Sequence, residues 1–265
     1  MREPALSQAA GLLDLAARTS MRLMAMVCHG DEQAELPLLW MLCAALTNQK
    51  YQVTVLDGTK QESRDNPGLE QILDYHYGQG TSSDDLAPWS TLPARQGLQS
   101  LAAAQSSTNW SAALQSSPLQ GPNAVVIVYA PADMLAELVA QSGVTPLLAF
   151  SSGKTSLMTS YLALKRLLIN TQRVPTIAHV HSHNLAPSNQ EDVVARSLRG
   201  CARQFLQVEL DLLPVHLGKG PASVQADVDA LLQLLLAESV TLDAPWNGMR
   251  DNRMAYGTHG IATRI

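Results

Sequence analysis

The tripeptide Gly153-Lys154-Thr155 lies between an apolar run and a helical pattern, a setting in which a loop can hold phosphate. In a P-loop, backbone N–H groups and a lysine surround the phosphates, and glycines let those N–H groups converge. The glycine that a P-loop places five residues before Gly153 is Leu148 here. The stretch therefore predicts a capped helix N-terminus with residual anion affinity, and a complete phosphate loop is the less favoured interpretation.

Three alternating histidines, His179, His181 and His183, follow another apolar run. If the strand continues, all three point to one face and could ligate a metal. No cysteine or carboxylate neighbours them in sequence, so a strand-end cluster without metal is favoured. Cys28 beside His29 suggests a nucleophile, but Cys28 ends an apolar run, which is typical of an inert core thiol.

Apolar runs and helical patterns alternate through most of the chain. Strands are predicted over residues 23–28, 52–56, 124–128, 146–150, 176–180 and 208–213, and helices over 36–46, 134–141, 156–169, 190–205 and 224–240. This order predicts an α/β fold with a doubly wound, mainly parallel sheet and helices on both faces. Ligands of such folds bind at the carboxyl ends of the strands, which here are residues 29–36, 57–65, 129–133 and 151–155.

Three parts of the chain are expected to differ in role. Residues 1–20 carry a helical pattern over 5–17 and are expected to bind a partner, residues 21–240 are expected to form the α/β domain, and residues 241–265 are expected to form a loosely ordered tail. Within the domain, residues 78–122 are rich in Ser, Gln and Ala and contain prolines, so short helices and loops are expected there.

The composition limits the classes of function. Lys and Arg total 18 against 23 Asp and Glu, and a net charge of −5 gives no basic surface for nucleic acid. The three cysteines form no C-x-x-C pair, so neither a disulfide framework nor a zinc site is indicated. No secretory signal or membrane-spanning run is recognisable, and a cytoplasmic protein is expected.

Three stretches together resemble a known family. Residues 7–12 read Ser-Gln-Ala-Ala-Gly-Leu, residues 151–168 join a Thr-Ser pair to a helix, and residues 201–210 contain Arg-Gln-Phe-Leu-Gln-Val. In order and spacing they resemble the MinD/ParA-type P-loop ATPases, and within them the flagellar FlhG/FleN branch. The resemblance implies a MinD-like fold of the SIMIBI class over most of the chain.

The resemblance also implies a partner-binding helix at the N-terminus. Residues 7–12 are similar to the Asp-Gln-Ala-x-x-Leu-Arg motif with which FlhG stimulates its partner GTPase, although Ser7 replaces the Asp and Leu13 the Arg. Gln8, Gly11 and Leu12 are the contact residues that this similarity implies.

The phosphate-binding motif departs from the family's pattern. The family's Lys-Gly-Gly-Val-Gly-Lys-Thr corresponds to residues 31–37, which read Asp-Glu-Gln-Ala-Glu-Leu-Pro. Asp31 and Leu36 replace the two lysines, and Pro37 replaces the hydroxyl that binds Mg²⁺. Carboxylates here would repel a polyanion by about 1 kcal/mol or more at close range. A solvated acidic helix start, favourable to the helix dipole, explains the same residues equally well.

The metal-binding positions are altered as well. Asp57 retains the first Asp of the family's Asp-x-Asp, but Thr59 replaces the second, and Tyr129 replaces the Asp that holds Mg²⁺ through water. Because every part of the phosphoryl-transfer apparatus changes together, the resemblance implies a pseudo-ATPase without a cofactor. The residues left at the degenerate nucleotide site are Gly30, Asp57, Gly153, Lys154 and Thr155.

The favoured function is therefore a non-catalytic, FlhG-like regulator or scaffold. It would bind a protein partner, such as an FlhF-like GTPase or a transcriptional activator, in the placement and number control of flagellar or other polar machinery. Recruitment to the cell pole or inner membrane face and homodimerisation stay open, and nucleic acid is not an expected partner. Two alternatives remain: a divergent ATPase that uses Lys154 with ATP and Mg²⁺, and a BcsQ-like factor for cellulose secretion. The tail has no sustained helical period, which argues against membrane binding.

Overall fold

The computed structural model describes residues 21–75, 88–103, 113–114, 117–119, 121, 123–140, 142–181, 189–217 and 221–242. The predicted N-terminal helix with Gln8, Gly11 and Leu12, the residue His183 and the tail beyond 242 lie outside the described residues.

One sheet of eight strands runs through the described part of the chain. The strands are β1 (Met21–Cys28), β2 (Gln52–Asp57), β3 (Ser90–Pro93), β4 (Ala124–Pro131), β5 (Pro146–Phe150), β6 (Thr176–His181), β7 (Leu212–His216) and β8 (Val240–Leu242). Their order is β3-β2-β4-β1-β5-β6-β7 with every neighbouring pair parallel, and β8 pairs antiparallel with the start of β1. The predicted doubly wound, mainly parallel sheet is confirmed.

Helices cover both faces of this sheet. They are α1 (Glu32–Asn48), α2 (Leu69–Tyr75), α3 (Arg95–Ala103), α4 (Ala132–Val139), α5 (Lys154–Thr171), α6 (Asn189–Cys201), which continues as a π-helical turn (Ala202–Leu206), and α7 (Pro221–Glu238). Leu38 of α1 and Leu231 of α7 belong to one core. Leu135 of α4 and Leu164 of α5 belong to the other core, on the opposite face.

Side chains of the central strands alternate between these two cores, as the pleat of a strand requires. In β1, Leu23 and Val27 enter the core beneath α4 and α5, whereas Met26 enters the core beneath α1 and α7. In β4, Val128 lies on the α4 side and Tyr129 on the α1 side. The alternation therefore places the Tyr129 side chain on the same face of the sheet as α1.

The last part of the sheet differs from the prediction. The strand predicted over 208–213 is found at Leu212–His216, because the π-helical turn extends the preceding helix and ends at Gln207 in a left-handed conformation (φ 56°). Residues 208–211 then lead the chain back to the sheet. β3 lies within the region predicted as short helices and loops, and the predicted domain boundary at residue 240 falls inside β8.

No helix in the part of the chain that the structure describes has the length and apolar character needed to cross a membrane.

Candidate functional site

The loop between β1 and α1 directs two backbone N–H groups at one carboxylate. The N–H of His29 lies 3.0 Å and that of Asp31 2.8 Å from Oε1 of Glu35. Gly30 between them has φ +93°, a conformation that glycine adopts without steric cost, and this turn lets the two groups converge. Converging N–H groups of this kind form an anion-binding nest. Glu35, with 0% of its surface exposed, occupies this β1–α1 nest.

Tyr129 completes the surroundings of the Glu35 carboxylate. Its hydroxyl donates to Oε2 of Glu35 at 2.5 Å, across the core that α1 shares with β4. Burial raises the pKa of Tyr129, and its contacts with Cys28 and Glu35 raise it further. The phenol therefore stays protonated and serves as a donor.

Cys28 stands beside this cluster as a half-buried thiol. Burial raises its pKa and the charge of Glu35 adds to the effect, although a hydrogen bond with Tyr129 opposes them. A thiol with a raised pKa carries little thiolate at neutral pH, so Cys28 is a poor nucleophile. This agrees with the inert thiol expected from the sequence.

A second carboxylate joins two loops at the carboxyl edge of the sheet. Oδ2 of Asp31 accepts a hydrogen bond from the N–H of Ser151 at 2.7 Å and another from the hydroxyl of Ser156. Asp31 thus connects the β1–α1 loop with the loop that precedes α5. The interpretation as a solvated acidic helix start fits Glu32, which is exposed, but is wrong for the buried Asp31 and Glu35.

Residues matched to the family's phosphate loop are helical in this protein. α1 begins at Glu32, and the N–H groups of Ala34 and Glu35 donate to the carbonyl oxygen of Asp31 at 3.0 and 2.8 Å. These N–H groups therefore serve the helix. The matched stretch contains no glycine to hold an open loop, and acidic residues in a first turn favour the helix dipole. Leu36, which the resemblance matches to the motif lysine, is an exposed apolar residue.

Asp57 caps the loop that follows β2. Its Oδ1 accepts the N–H of Thr59 at 3.0 Å and the hydroxyl of Thr59 at 2.6 Å, which is an Asx turn. Nζ of Lys60 lies 3.5 Å from Oδ2. Both oxygens of this buried carboxylate are therefore occupied by the adjacent loop, and β4 separates β2 from β1.

Gly153, Lys154 and Thr155 are exposed at the start of α5. Gly153 is the N-cap, and no side chain caps this helix end. Within the described ranges Lys154 forms no ion pair. The loop lies near the β1–α1 nest through the contact of Asp31 with Ser151, so the structure brings these two predicted regions together.

A further carboxylate was missed at the sequence level. Glu62, which is buried, accepts the N–H groups of Gln96 at 2.7 Å and Gly97 at 2.8 Å and so caps the N-terminus of α3. A signal was available, since Glu62 lies in the predicted ligand-edge stretch 57–65. α1, α3 and α5 all begin at the carboxyl edge of the sheet, and a carboxylate of this chain lies at the beginning of each.

The predicted histidine cluster is a stack of rings. His179 stacks on Phe150 with ring centroids 4.5 Å apart, and His181 stacks on His216 at 4.7 Å. Nδ1 of His216 lies 2.8 Å from Oδ2 of Asp227. In the described residues no group of three or more His, Cys, Asp and Glu side chains is arranged to hold a metal ion.

A groove of about 630 Å³ opens between α4 and α5, and it too was missed at the sequence level. His29 is one of its lining residues, with Nε2 2.6 Å from the carbonyl oxygen of Ala149 and Nδ1 2.9 Å from Oγ1 of Thr159. Asp133 lines the α4 side and Arg166 the α5 side, with 3.7 Å between their nearest charged atoms.

A scan against protein-family models found no match, and a search of curated proteins found none either. Solved structures resemble the chain in fold. Cobyrinic acid a,c-diamide synthase from Mycobacterium smegmatis with bound ADP and magnesium aligns with a TM-score of 0.52 at 14% identity, over 80% of this chain and 94% of that one. An ATP complex of Cyanothece McdA aligns with a TM-score of 0.50 at 12% identity, over 83% and 97%.

The MinC:MinD cell division complex from Aquifex aeolicus also matches, with a TM-score of 0.47 at 11% identity, over 83% of this chain and 97% of that one. The neighbours are ParA/MinD-type P-loop ATPases. At these identities the likeness shows the fold, which agrees with the fold expected from the sequence.

Proposed function

We propose that this protein is a non-catalytic, MinD-like regulator or scaffold that acts by binding a protein partner and does not use ATP. The observation that carries the proposal is the Glu35 carboxylate inside the β1–α1 nest, where it accepts the N–H groups of His29 and Asp31. A phosphate oxygen would need these same donors, and it would meet a buried negative charge instead.

The surrounding residues support the same proposal. A nucleotide with Mg²⁺ fits them poorly, because Asp31 and Asp57 already accept hydrogen bonds from neighbouring loops and α1 is helical from Glu32 onward. Tyr129 offers Mg²⁺ only a protonated phenol. The fold is shared with proteins solved with bound ADP and with ATP, so it indicates where a nucleotide would be sought.

The competing function is a divergent nucleotide-binding ATPase. One feature favours it: Lys154 is exposed at the uncapped start of α5 and, within the described ranges, forms no ion pair. A lysine beside free N–H groups is an arrangement that can hold phosphate.

Isothermal titration with ATP and ADP, with and without Mg²⁺, separates the two functions. We expect no binding heat up to millimolar nucleotide. Micromolar binding that Lys154→Ala abolishes and the exposed control Lys50→Ala preserves would replace the proposal with the ATPase. Micromolar binding that survives both substitutions would equally end it and place the nucleotide elsewhere.

The finer part of the proposal is an FlhG-like role in flagellar or other polar machinery, through the N-terminal segment. Its support is the similarity of residues 7–12 to the FlhG motif. Combined Gln8→Asp and Leu12→Asp should abolish pull-down of a purified FlhF-like GTPase while circular dichroism stays unchanged. The matched control is Gln225→Asp with Leu234→Asp at two exposed positions of α7, which should bind as well as the unsubstituted chain. Equal binding by both double variants would refute this role.

A further inference from the structure

α5 carries an apolar stripe on the side that it turns away from the core. Met158 is 63% exposed, Leu162 56% and Ile169 65%. With Lys165, which is also exposed, they follow a 4-3-4 spacing, the spacing of a helical seam that packs against another helix. Met158, Leu162, Lys165 and Ile169 are the α5 stripe.

The inner side of α5 is already satisfied. Ala163, Leu164 and Leu167 are buried in the core beneath the sheet face that α4 and α5 share. The stripe is therefore a second apolar side of the same helix, exposed in the isolated chain. Three large apolar side chains in register on one helix are more than the scattered surface residues expected of a soluble domain.

A groove adjoins three of the four residues of the stripe. It is the groove of about 630 Å³ between α4 and α5, to which Leu162, Lys165 and Ile169 contribute. Its opposite wall is Pro131, Ala132 and Asp133. A groove with apolar residues at helical spacing on one wall is a form in which proteins receive an amphipathic helix.

Charge decides which occupant suits the groove. Lys165 and Arg166 line it against the single carboxylate Asp133, which lies 3.7 Å from Arg166. Lys165 forms no ion pair within the described ranges. Covering the stripe would remove the Lys165 ammonium from water, which is unfavourable unless a carboxylate meets it. A second copy of this chain docked through the same stripe would bring a second excess of positive charge, so it suits the groove less well.

We propose that the α5 stripe and the groove beside it receive an amphipathic helix of a protein partner, which places a carboxylate against Lys165. This inference rests on the proposed role as a partner-binding protein and adds to it the surface and the chemistry of the partner. The surface lies on α5, whereas the partner contact implied by the family resemblance lies in residues 7–12.

The test uses two fluorescent helical peptides that differ in one residue. Each is about 18 residues long with leucines at the seam positions, and the central seam residue is Glu in one peptide and Lys in the other. In anisotropy titrations of the full chain, we expect the Glu peptide to bind at least about tenfold more tightly than the Lys peptide. Lys165→Glu should reverse this preference, and Leu162→Asp should abolish binding of both peptides. The same apolar-to-acidic change at Leu234 of α7 should leave binding unchanged.

Equal affinity for the two peptides, or no saturable binding of either, would overturn the proposal. Sedimentation velocity addresses the second copy: a dimer that Leu162→Asp dissolves would assign the stripe to self-association and also overturn it. The nucleotide titration is independent of these readouts. If neither peptide binds, the inference about the α5 stripe fails, but the proposal that the chain does not use ATP is untouched. If the titration shows nucleotide binding, the proposed function fails whatever the peptides do.

Discussion

Glu35 and Tyr129 are two of the residues at which the resemblance implies a departure from the MinD/ParA pattern, and their side chains contact each other. Each substitution makes the other favourable. With the family's aspartate at position 129, Glu35 would lie beside a second buried carboxylate. With the family's glycine at position 35, the Tyr129 hydroxyl would lose its acceptor. The pair therefore behaves as one structural unit, and under the proposed function it fills the place that a phosphate would take.

Removing this carboxylate should be costly for stability. Glu35→Ala leaves the Tyr129 hydroxyl and the N–H groups of His29 and Asp31 without their acceptor, and we expect a loss of about 3 kcal/mol or more in the free energy of unfolding. Glu35→Gln keeps one acceptor and should lose less. Urea denaturation measures both.

Glu32 provides the matched control, since it lies in the same helical turn and is exposed. Glu32→Ala should change the free energy of unfolding by about 0.5 kcal/mol or less. If Glu35→Ala were as mild as Glu32→Ala, the β1–α1 nest would have no role in stability.

Gly30 tests the backbone of the same nest. A Cβ added at Gly30 would meet no atom within 4 Å, but φ is +93°, so Gly30→Ala should lose about 1–2 kcal/mol through the backbone alone. Gly200 in α6 has equally open surroundings and helical backbone, and Gly200→Ala should gain about 0.5–1 kcal/mol. Thermal unfolding measures the two, and a change of the same sign in both would contradict this account.

Among the secondary-structure elements, those with strong apolar patterns were predictable. β1, β2, β4, β5 and β6 lie where the sequence places them because each is a buried run of apolar residues. β3 was missed because Ser90–Pro93 contains only one large apolar residue, and its place comes from pairing with β2. β7 was displaced because a left-handed Gln207 ends the preceding turn, and local alternation does not reveal that conformation.

The position of the candidate site could be predicted from the sequence, but the contacts made by its carboxylates could not. The strand ends were found, since parallel strands direct their carboxyl ends to one edge. The roles of Glu35, Asp31 and Glu62 depend on contacts between residues distant in sequence, such as the 94 positions that separate Glu35 from Tyr129. The alternation of side chains along β4 is enough to predict that Tyr129 lies on the α1 side. Which carboxylate reaches the β1–α1 nest depends on the residue at which α1 begins, and the sequence does not determine that residue.

The cap of α3 gives a prediction for a whole element. Glu62→Ala removes the acceptor for the N–H groups of Gln96 and Gly97 and should lower the free energy of unfolding by about 1–2 kcal/mol. Hydrogen exchange should accelerate first in the initial turn of α3. Glu70→Ala in the first turn of α2 is the control and should leave α3 protected. Unchanged exchange at Gln96 and Gly97 in Glu62→Ala would mean that the cap does not hold the helix.

At the scale of the whole molecule, the fold retains the geometry that favours anions and places its own carboxylates near it. Helices α1, α3 and α5 begin at the same edge of the sheet, where their dipoles favour negative charge. Glu35, Glu62 and Asp31 supply that charge. A protein arranged in this way reaches its full stability without a ligand, whereas a protein with an open anion site gains stability when the ligand binds.

Replacing the internal carboxylates should therefore make stability depend on a ligand. The variant carries Asp31→Lys, Glu32→Gly, Gln33→Gly, Ala34→Val, Glu35→Gly, Leu36→Lys, Pro37→Thr and Tyr129→Asp. Without nucleotide it should melt below the unsubstituted chain, because both carboxylates and the contact with Ser151 are lost. Millimolar MgATP should raise its Tm and leave the Tm of the unsubstituted chain unchanged.

The control for this experiment is the same variant with Glu35 retained. Its nest stays filled, so MgATP should not raise its Tm. A rise in the Tm of the unsubstituted chain, or an equal rise with and without Glu35, would show that this carboxylate does not exclude phosphate. If MgATP does not raise the Tm of the full variant, the fold does not accept a nucleotide even with the motif restored. The internal carboxylates would then be a consequence of lost nucleotide binding and not its cause.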